Sequence, residues 1–120
     1  MQTLPPSPWV QRFVSLAPPG EALDLACGNG RHTRLLAARG LQVLALDLKP
    51  EALAASAGDN VTTMACDLEA EGAPWPFETG RFAAIVVTNY LHRPLFAALA
   101  ASLRPDGILI YETFAQGNQI

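Results

Sequence analysis

The sequence predicts an α/β domain built on a parallel sheet with helices on both faces. Three observations predict it. Short apolar runs around Leu23–Leu25, Val43–Leu46, Phe82–Val87 and Ile108–Tyr111 alternate with segments of helical spacing, as strands buried on both faces require. The first run passes through Gly28 and Gly30 directly into a helix, and the unpaired N–H groups of a helix start suit an anionic or nucleotide-like ligand. Polar residues also gather where strands should end, at Asp47, at Cys66-Asp67 and at Asn89-Tyr90. Ligands of parallel sheets sit at those carboxyl ends.

Composition sets the bounds. The 120 residues, half of them hydrophobic and 16% charged, fit a single globular domain over 1–120. Roughly two thirds of the unfolded surface is buried at this size, so no staples are needed. A net charge of −3 argues against nucleic acid, which selects a basic face. No apolar run approaches the ~20 residues of a membrane span, and no signal-like segment opens the chain, so a cytoplasmic protein is expected. Cys27 and Cys66 would then be reduced. Two cysteines alone make no zinc site, so no metal is expected.

The elements follow in order. Residues 1–6 read as a loose tail. Ser7 caps a helix over 8–17, with Pro8 at its first position and Trp9, Val10, Phe13 and Val14 on one side. Pro18-Pro19-Gly20 ends it. Strand 1 covers about 22–26, and the helix after the glycine turn covers about 31–39. Strand 2 is 42–47. Pro50 opens an alanine-rich helix that stops near Gly58. Strand 3 is about 61–66. Glycines and prolines between 67 and 81 make an irregular loop with Trp75 and Phe77 packed inward. Strand 4 is 82–88. Pro94 opens a helix with Leu95, Leu99 and Leu103 on one face. Pro105-Asp106-Gly107 is a turn, strand 5 is 108–114, and the last six residues are loop. Strand 5 lies at a sheet edge, with Ile108, Ile110 and Phe114 on one side and Leu109 and Tyr111 on the other. An apolar edge of this kind invites pairing with another chain, so self-association through 108–114 is expected.

A dinucleotide fingerprint would be Gly-x-Gly-x-x-Gly. Gly28 and Gly30 fit it, but Thr33 holds the third position, which counts against a nicotinamide-dependent oxidoreductase. The stretch Asp24-Leu-Ala26-Cys-Gly28-Asn-Gly30 instead resembles the first motif of the class I S-adenosylmethionine-dependent methyltransferases, with Ala26 where the pattern has a glycine. Asp47 after strand 2, Asp67 after strand 3 and the run Leu103–Glu112 resemble the later motifs in order. The resemblance covers residues 9–114. It implies a Rossmann-like sheet of about five strands ordered 3-2-1-4-5, with the family's strands 6 and 7 absent from these 120 residues: a shortened chain, a partner that supplies them, or a reduced fold.

The resemblance also implies roles. The turn of Ala26, Cys27, Gly28 and Gly30 passes under S-adenosylmethionine and meets its carboxylate. Asp24 lies near the ammonium group. Asp47, with Leu48 beside it, accepts from the ribose hydroxyls. Asp67 accepts from the adenine amino group, with the Leu68 N–H near the ring. Asn89, Tyr90 and His92, after strand 4, are the candidates to face the methyl group; Asn89 also borders the cofactor. His92 is the candidate base because its ordinary pKa lies near neutrality. His32 reads as a surface or supporting residue, and Arg31 as a solvated helix residue or an aid to an anionic group. Thr88-Asn89-Tyr90-Leu91 lacks the two prolines frequent in enzymes that methylate amino groups of nucleic acids or proteins. A small-molecule acceptor is therefore expected, with S-adenosylhomocysteine as the other product.

Overall fold

The computed structural model describes residues 5–90 and 92–113. Five parallel strands form one sheet in the order β3-β2-β1-β4-β5. They are β1 (Glu21–Leu25), β2 (Gln42–Asp47), β3 (Val61–Ala65), β4 (Phe82–Thr88) and β5 (Leu103–Glu112). The helices are α1 (Pro8–Phe13), α2 (Arg31–Ala38), α3 (Pro50–Ser56) and α4 (Phe96–Ala101). This is the Rossmann-like arrangement and strand order expected. The extremes of the chain, including the expected tail before Pro5, Phe114 of strand 5 and the closing loop, lie outside the described residues, as does Leu91.

Alternation along the strands divides the core into two layers. Ala22 and Val43 pack with Val10, Val14 and Leu36 of the α1–α2 side. Leu23, Leu25, Leu44 and Leu46 pack with Phe77, Phe82 and Leu99 on the opposite side. β4 is buried along its whole length, so its seven residues serve both layers. Each large apolar side chain so buried stabilises the fold by about 1.5–3 kcal/mol.

Several boundaries differ from the sequence reading, for physical reasons. The first helix tightens into a 3-10 turn over Val14–Leu16 before Pro18, since a proline restricts the residues ahead of it. Ser7 does cap it, accepting from the Trp9 and Val10 N–H groups. α4 ends at Ala101, so Leu103 belongs to a strand rather than to a helical face. Leu103 still packs beside Leu95 and Leu99 in the same core layer. β5 therefore starts five residues earlier than expected. Leu103 pairs with Phe82, residues 104–107 bulge out, and pairing resumes at Ala84 with Ile108. The expected Pro105-Asp106-Gly107 turn is that bulge. The loop between β3 and β4 takes the place of a helix on the second layer. Phe77 stacks edge to face on Phe82 and Trp75, and the Trp75 indole N–H donates to Ser102 Oγ at 2.7 Å.

Candidate functional site

β1 runs out into a turn with three left-handed residues: Ala26 at φ +62°, Gly28 at +58° and Gly30 at +87°. The two glycines are there for different reasons. A Cβ on Gly28 would meet nothing, so Gly28 supplies only the backbone conformation. A Cβ on Gly30 would lie 2.8 Å from Ser56 Cα and 2.9 Å from Ser56 Oγ. Gly30 is thus the contact that lets α2 seat on α3. It is buried, whereas Gly28 borders the larger of the two cavities described next.

Two cavities open above this turn, at the carboxyl ends of the strands. One, of about 130 Å³, lies between Leu25, Leu46, Leu48, Cys66, Asp67, Leu68, Glu69 and Tyr90. The other, of about 360 Å³, lies between Cys27, Gly28, Asn29, Arg31, His32, Thr88 and Asn89. They share Ala26 and Asp47. Asp47 is fixed from both sides: Oδ2 accepts from the Gly28 N–H at 3.0 Å and Oδ1 from the Lys49 N–H at 3.1 Å. A carboxylate oxygen has more than one lone pair, so both can still accept from a ligand at the junction of the cavities.

Of the residues singled out in the sequence, the structure gathers Ala26, Cys27, Gly28, Asp47, Leu48, Asp67, Leu68, Asn89 and Tyr90 around these cavities. Asn89 and Tyr90 part company there. Asn89, left-handed at φ +55° and tied to β5 by its N–H to the Glu112 carbonyl, faces the larger cavity. Tyr90 faces the smaller one beside Asp67 and Glu69. Burial and the Glu69 carboxylate push its phenol pKa upward. Asp67 is exposed, and its Oδ1 accepts from the Glu69 N–H at 2.9 Å, the turn-capping role aspartates often take. His92 lines neither cavity; its Nδ1 lies 3.7 Å from Glu69.

Asp24 lies under the turn rather than in a cavity wall. It is 1% exposed. Thr33 Oγ1 donates to Oδ2 at 2.6 Å, while Oδ1 is buried with no hydrogen-bond partner among the described residues. Burial raises the carboxyl pKa to about 7, against the lowering effect of Thr33. Burial also pushes the Cys27 thiol up to about 11, although Ser56 Oγ donates to Sγ at 3.2 Å. Cys27 is therefore a neutral wall, not a nucleophile.

His32, expected as a surface or supporting residue, takes the second of those places. It is 2% exposed, not on the surface. Its Nε2 accepts from the Ser7 N–H at 2.9 Å, and Nδ1 lies 3.4 Å from Thr88 Oγ1. Acceptance at Nε2 puts the proton of the neutral ring on Nδ1, which donates to Thr88. Burial, with Arg31 beside it, lowers the pKa to about 4. Ser7 Oγ donates in turn to Glu112 at 2.5 Å, and Arg31 donates to the Pro5 carbonyl at 3.2 Å. The segment ahead of α1 is thus laced across α2 and the ends of β4 and β5. Spacing carried a signal: His32 and Leu36 stand four apart, on one helical face, and Leu36 is core.

The comparisons accord with this geometry. The chain matches the family described as Methyltransferase domain over residues 22–107. No curated protein matches it. Among solved structures it is similar to a TehB-like S-adenosylmethionine-dependent methyltransferase from Corynebacterium glutamicum, at 27% identity and a TM-score of 0.71, covering 91% of this chain and 62% of that one. It is similar to an S-adenosylmethionine-dependent methyltransferase from Mesorhizobium loti, at 24% identity and 0.68, covering 84% and 51%. Phosphoethanolamine N-methyltransferase 2 of Haemonchus contortus, solved with S-adenosyl-L-methionine, matches at 26% and 0.67, covering 83% and 25%. The chain spans about half the length of the first solved structures it matches.

Proposed function

This chain belongs to the methyltransferase-domain family, and on that premise we propose that it binds S-adenosylmethionine across its two joined cavities and serves methyl transfer to a small molecule. The observation that carries the reading is Asp47. It stands where the two cavities meet, its carboxylate oriented by the Gly28 and Lys49 N–H groups. A ligand with hydroxyls at its centre and different ends on either side fits that placement. The apolar rim of Leu48, Leu68 and Tyr90 suits the adenine, with Asp67 at its edge. The Cys27–Asn29 turn and the α2 start suit the methionine carboxylate. Asp24 Oδ1, without a donor among the described residues, is the test of fit, since a buried acceptor just beneath the turn suits a cationic group brought over it.

When bound, the cofactor supplies a methyl group already activated on sulfonium sulfur. The protein then has to hold and orient. Around the larger cavity the Nε2 lone pair of His32 is taken by the Ser7 N–H, and the Arg31 guanidinium, a donor only, has no lone pair with which to accept a proton. Tyr90 is held neutral, and His92 lies aside. This arrangement favours an acceptor whose attacking atom needs no protein base. Asn89 is the side chain placed to orient it.

The reading is tested by titrating the chain with S-adenosylhomocysteine and, separately, with nicotinamide dinucleotides. Binding of the first is expected; tight binding of the second alone would sink the proposal. Asp47→Ala should weaken S-adenosylhomocysteine by about 1–3 kcal/mol, the scale of a charge-assisted hydrogen bond; an unchanged Kd would remove Asp47 from the site. A second reading is a binding module that transfers no methyl group by itself, and the coverage of only about half of its relatives' length favours it. It predicts binding with no labelled methyl passed to any acceptor pool.

Self-association is part of the proposal. β5 is one of the two edges of the sheet, and beside it Trp9, Phe13, Leu16 and Leu109 line an apolar groove of about 500 Å³. Ile110 is core, so the informative substitution is at Leu109, 38% exposed. Light scattering across a hundredfold dilution should show concentration-dependent mass that Leu109→Lys reduces. A monomer at every concentration would refute it.

A further inference from the structure

We propose that cofactor binding is coupled to the loss of a proton from Asp24, which is neutral in the empty protein and ionised in the complex. The inference rests on the reading of the site given above, and it adds a proton to that reading.

The geometry argues for a neutral carboxyl in the empty protein. Asp24 is closed off from solvent, Oδ2 has one donor in Thr33, and Oδ1 has none among the described residues. An ionised carboxylate in that position would be a buried charge lacking half its hydrogen bonds, a costly state. Taking up a proton removes the charge. Bringing an ammonium group close to the turn reverses the balance, because an opposite charge nearby favours the ionised form. The proton leaves to solvent, and the carboxylate keeps its charge beneath the turn that the ligand covers.

The neighbours support a group held near this balance. Thr33, through its hydroxyl and its backbone N–H, and Arg31, both on α2, favour ionisation of Asp24, while Asp47 at the end of β2 opposes it. The Cys27 thiol in the turn stays neutral. On the flanking strands the register partners of Asp24 are Ala45 and Val86, which carry no titratable group. With a carboxyl pKa of about 7 in the empty protein, about half a proton should be released per ligand at pH 7. Release should approach one at pH 6 and fall to about a tenth at pH 8.

The experiment is calorimetric titration of the full chain with S-adenosylhomocysteine in buffers of different ionisation enthalpy, from pH 6 to pH 8. The expected result is proton release that declines with pH as above and vanishes in Asp24→Asn. Should that variant fail to fold, Thr33→Val serves. Losing the Thr33 donor disfavours the anion further and should move the release profile to higher pH. A purely structural Asp24 would leave the proton count unmoved. Binding with equal proton exchange in parent and Asp24→Asn, or an unshifted profile in Thr33→Val, overturns the inference and leaves the cofactor reading standing. Absence of S-adenosylhomocysteine binding overturns both.

Discussion

The two faces of the sheet bury very different chemistry. Under α1 and α2 lie Ser7, Asp24, His32, Thr33 and Thr88, all polar and all buried. On the opposite face, under α4 and the β3–β4 loop, the buried polar residue among those described is Ser102, and it is matched to the Trp75 indole. Phe77, Phe82, Ile85 and Leu99 fill the rest. Buried polar groups cost free energy unless their partners are complete. Both faces carry apolar core, and the difference is that one of them adds a buried polar network beside the larger cavity. The difference follows from the direction of the chain: β1 and β2 deliver Asp24 and Asp47 to the carboxyl end just where α2 begins.

The sharpest way to break that contrast is Phe82→Ala. Phe82 is fully buried and is stacked on Phe77, so truncation should cost about 3–5 kcal/mol. Urea unfolding measures it. Phe82 begins β4 and the cavities lie at the other end of the strands, so the fraction still folded should bind S-adenosylhomocysteine within about twofold of the parent. A loss of affinity matching the loss of stability would merge the two faces.

A smaller effect separates two groups within the polar face. Burial holds Asp24 at a pKa of about 7, raised from its ordinary value, and His32 at about 4, lowered from its own. The raised acid stabilises the fold at low pH, and that contribution is lost as pH rises from about 4 through 7. The lowered base does the reverse: its contribution is present above about 6.5 and is lost as pH falls through 4. Between pH 4 and 6.5 the two slopes oppose, each at up to about 1.4 kcal/mol per pH unit. Relative to the parent, Asp24→Asn should therefore gain stability as pH rises through this window, and His32→Gln should lose it. Urea midpoints at half-unit intervals test both signs. Parallel curves for all three proteins would show that neither group titrates as its burial implies.

The contrast also explains how much the sequence disclosed. Alternation and the glycine turn sufficed for the strands, and the resemblance supplied their order, because parallel strands must be apolar on both sides and must end at the site. Asp47 was legible because an acid just beyond an apolar strand has few other reasons to be there. What stayed hidden depends on contacts distant in sequence. The closeness of Ser56 to Gly30 decides what that glycine is for, and nothing local to residues 28–30 reveals it. The Ser7–His32 bond joins residues 25 apart, which turns an apparent surface histidine into a buried one. The bulge in β5 arises from pairing with Phe82 and Ala84, so a turn-like triplet ends up inside a strand.

The smallest expected effect lies at the junction of the two faces, in Ala26. Its φ of +62° is left-handed, where a Cβ crowds the backbone and a non-glycine residue is strained. The strain is held in place from both sides: the next residue, Cys27, donates its N–H to the Leu46 carbonyl at 3.0 Å, and β1 is locked between β2 and β4. Ala26 also borders both cavities, so its methyl group occupies space that a glycine would leave open. Ala26→Gly should relieve the strain and raise stability by about 1 kcal/mol, even after the greater entropy of glycine in the unfolded chain is counted. It should also leave S-adenosylhomocysteine binding equal or tighter, since the backbone it needs is already in place. Unfolding curves and a titration on one preparation measure both. A variant less stable than the parent would mean that the methyl group packs rather than crowds, and that Ala26 belongs with the core rather than with the site.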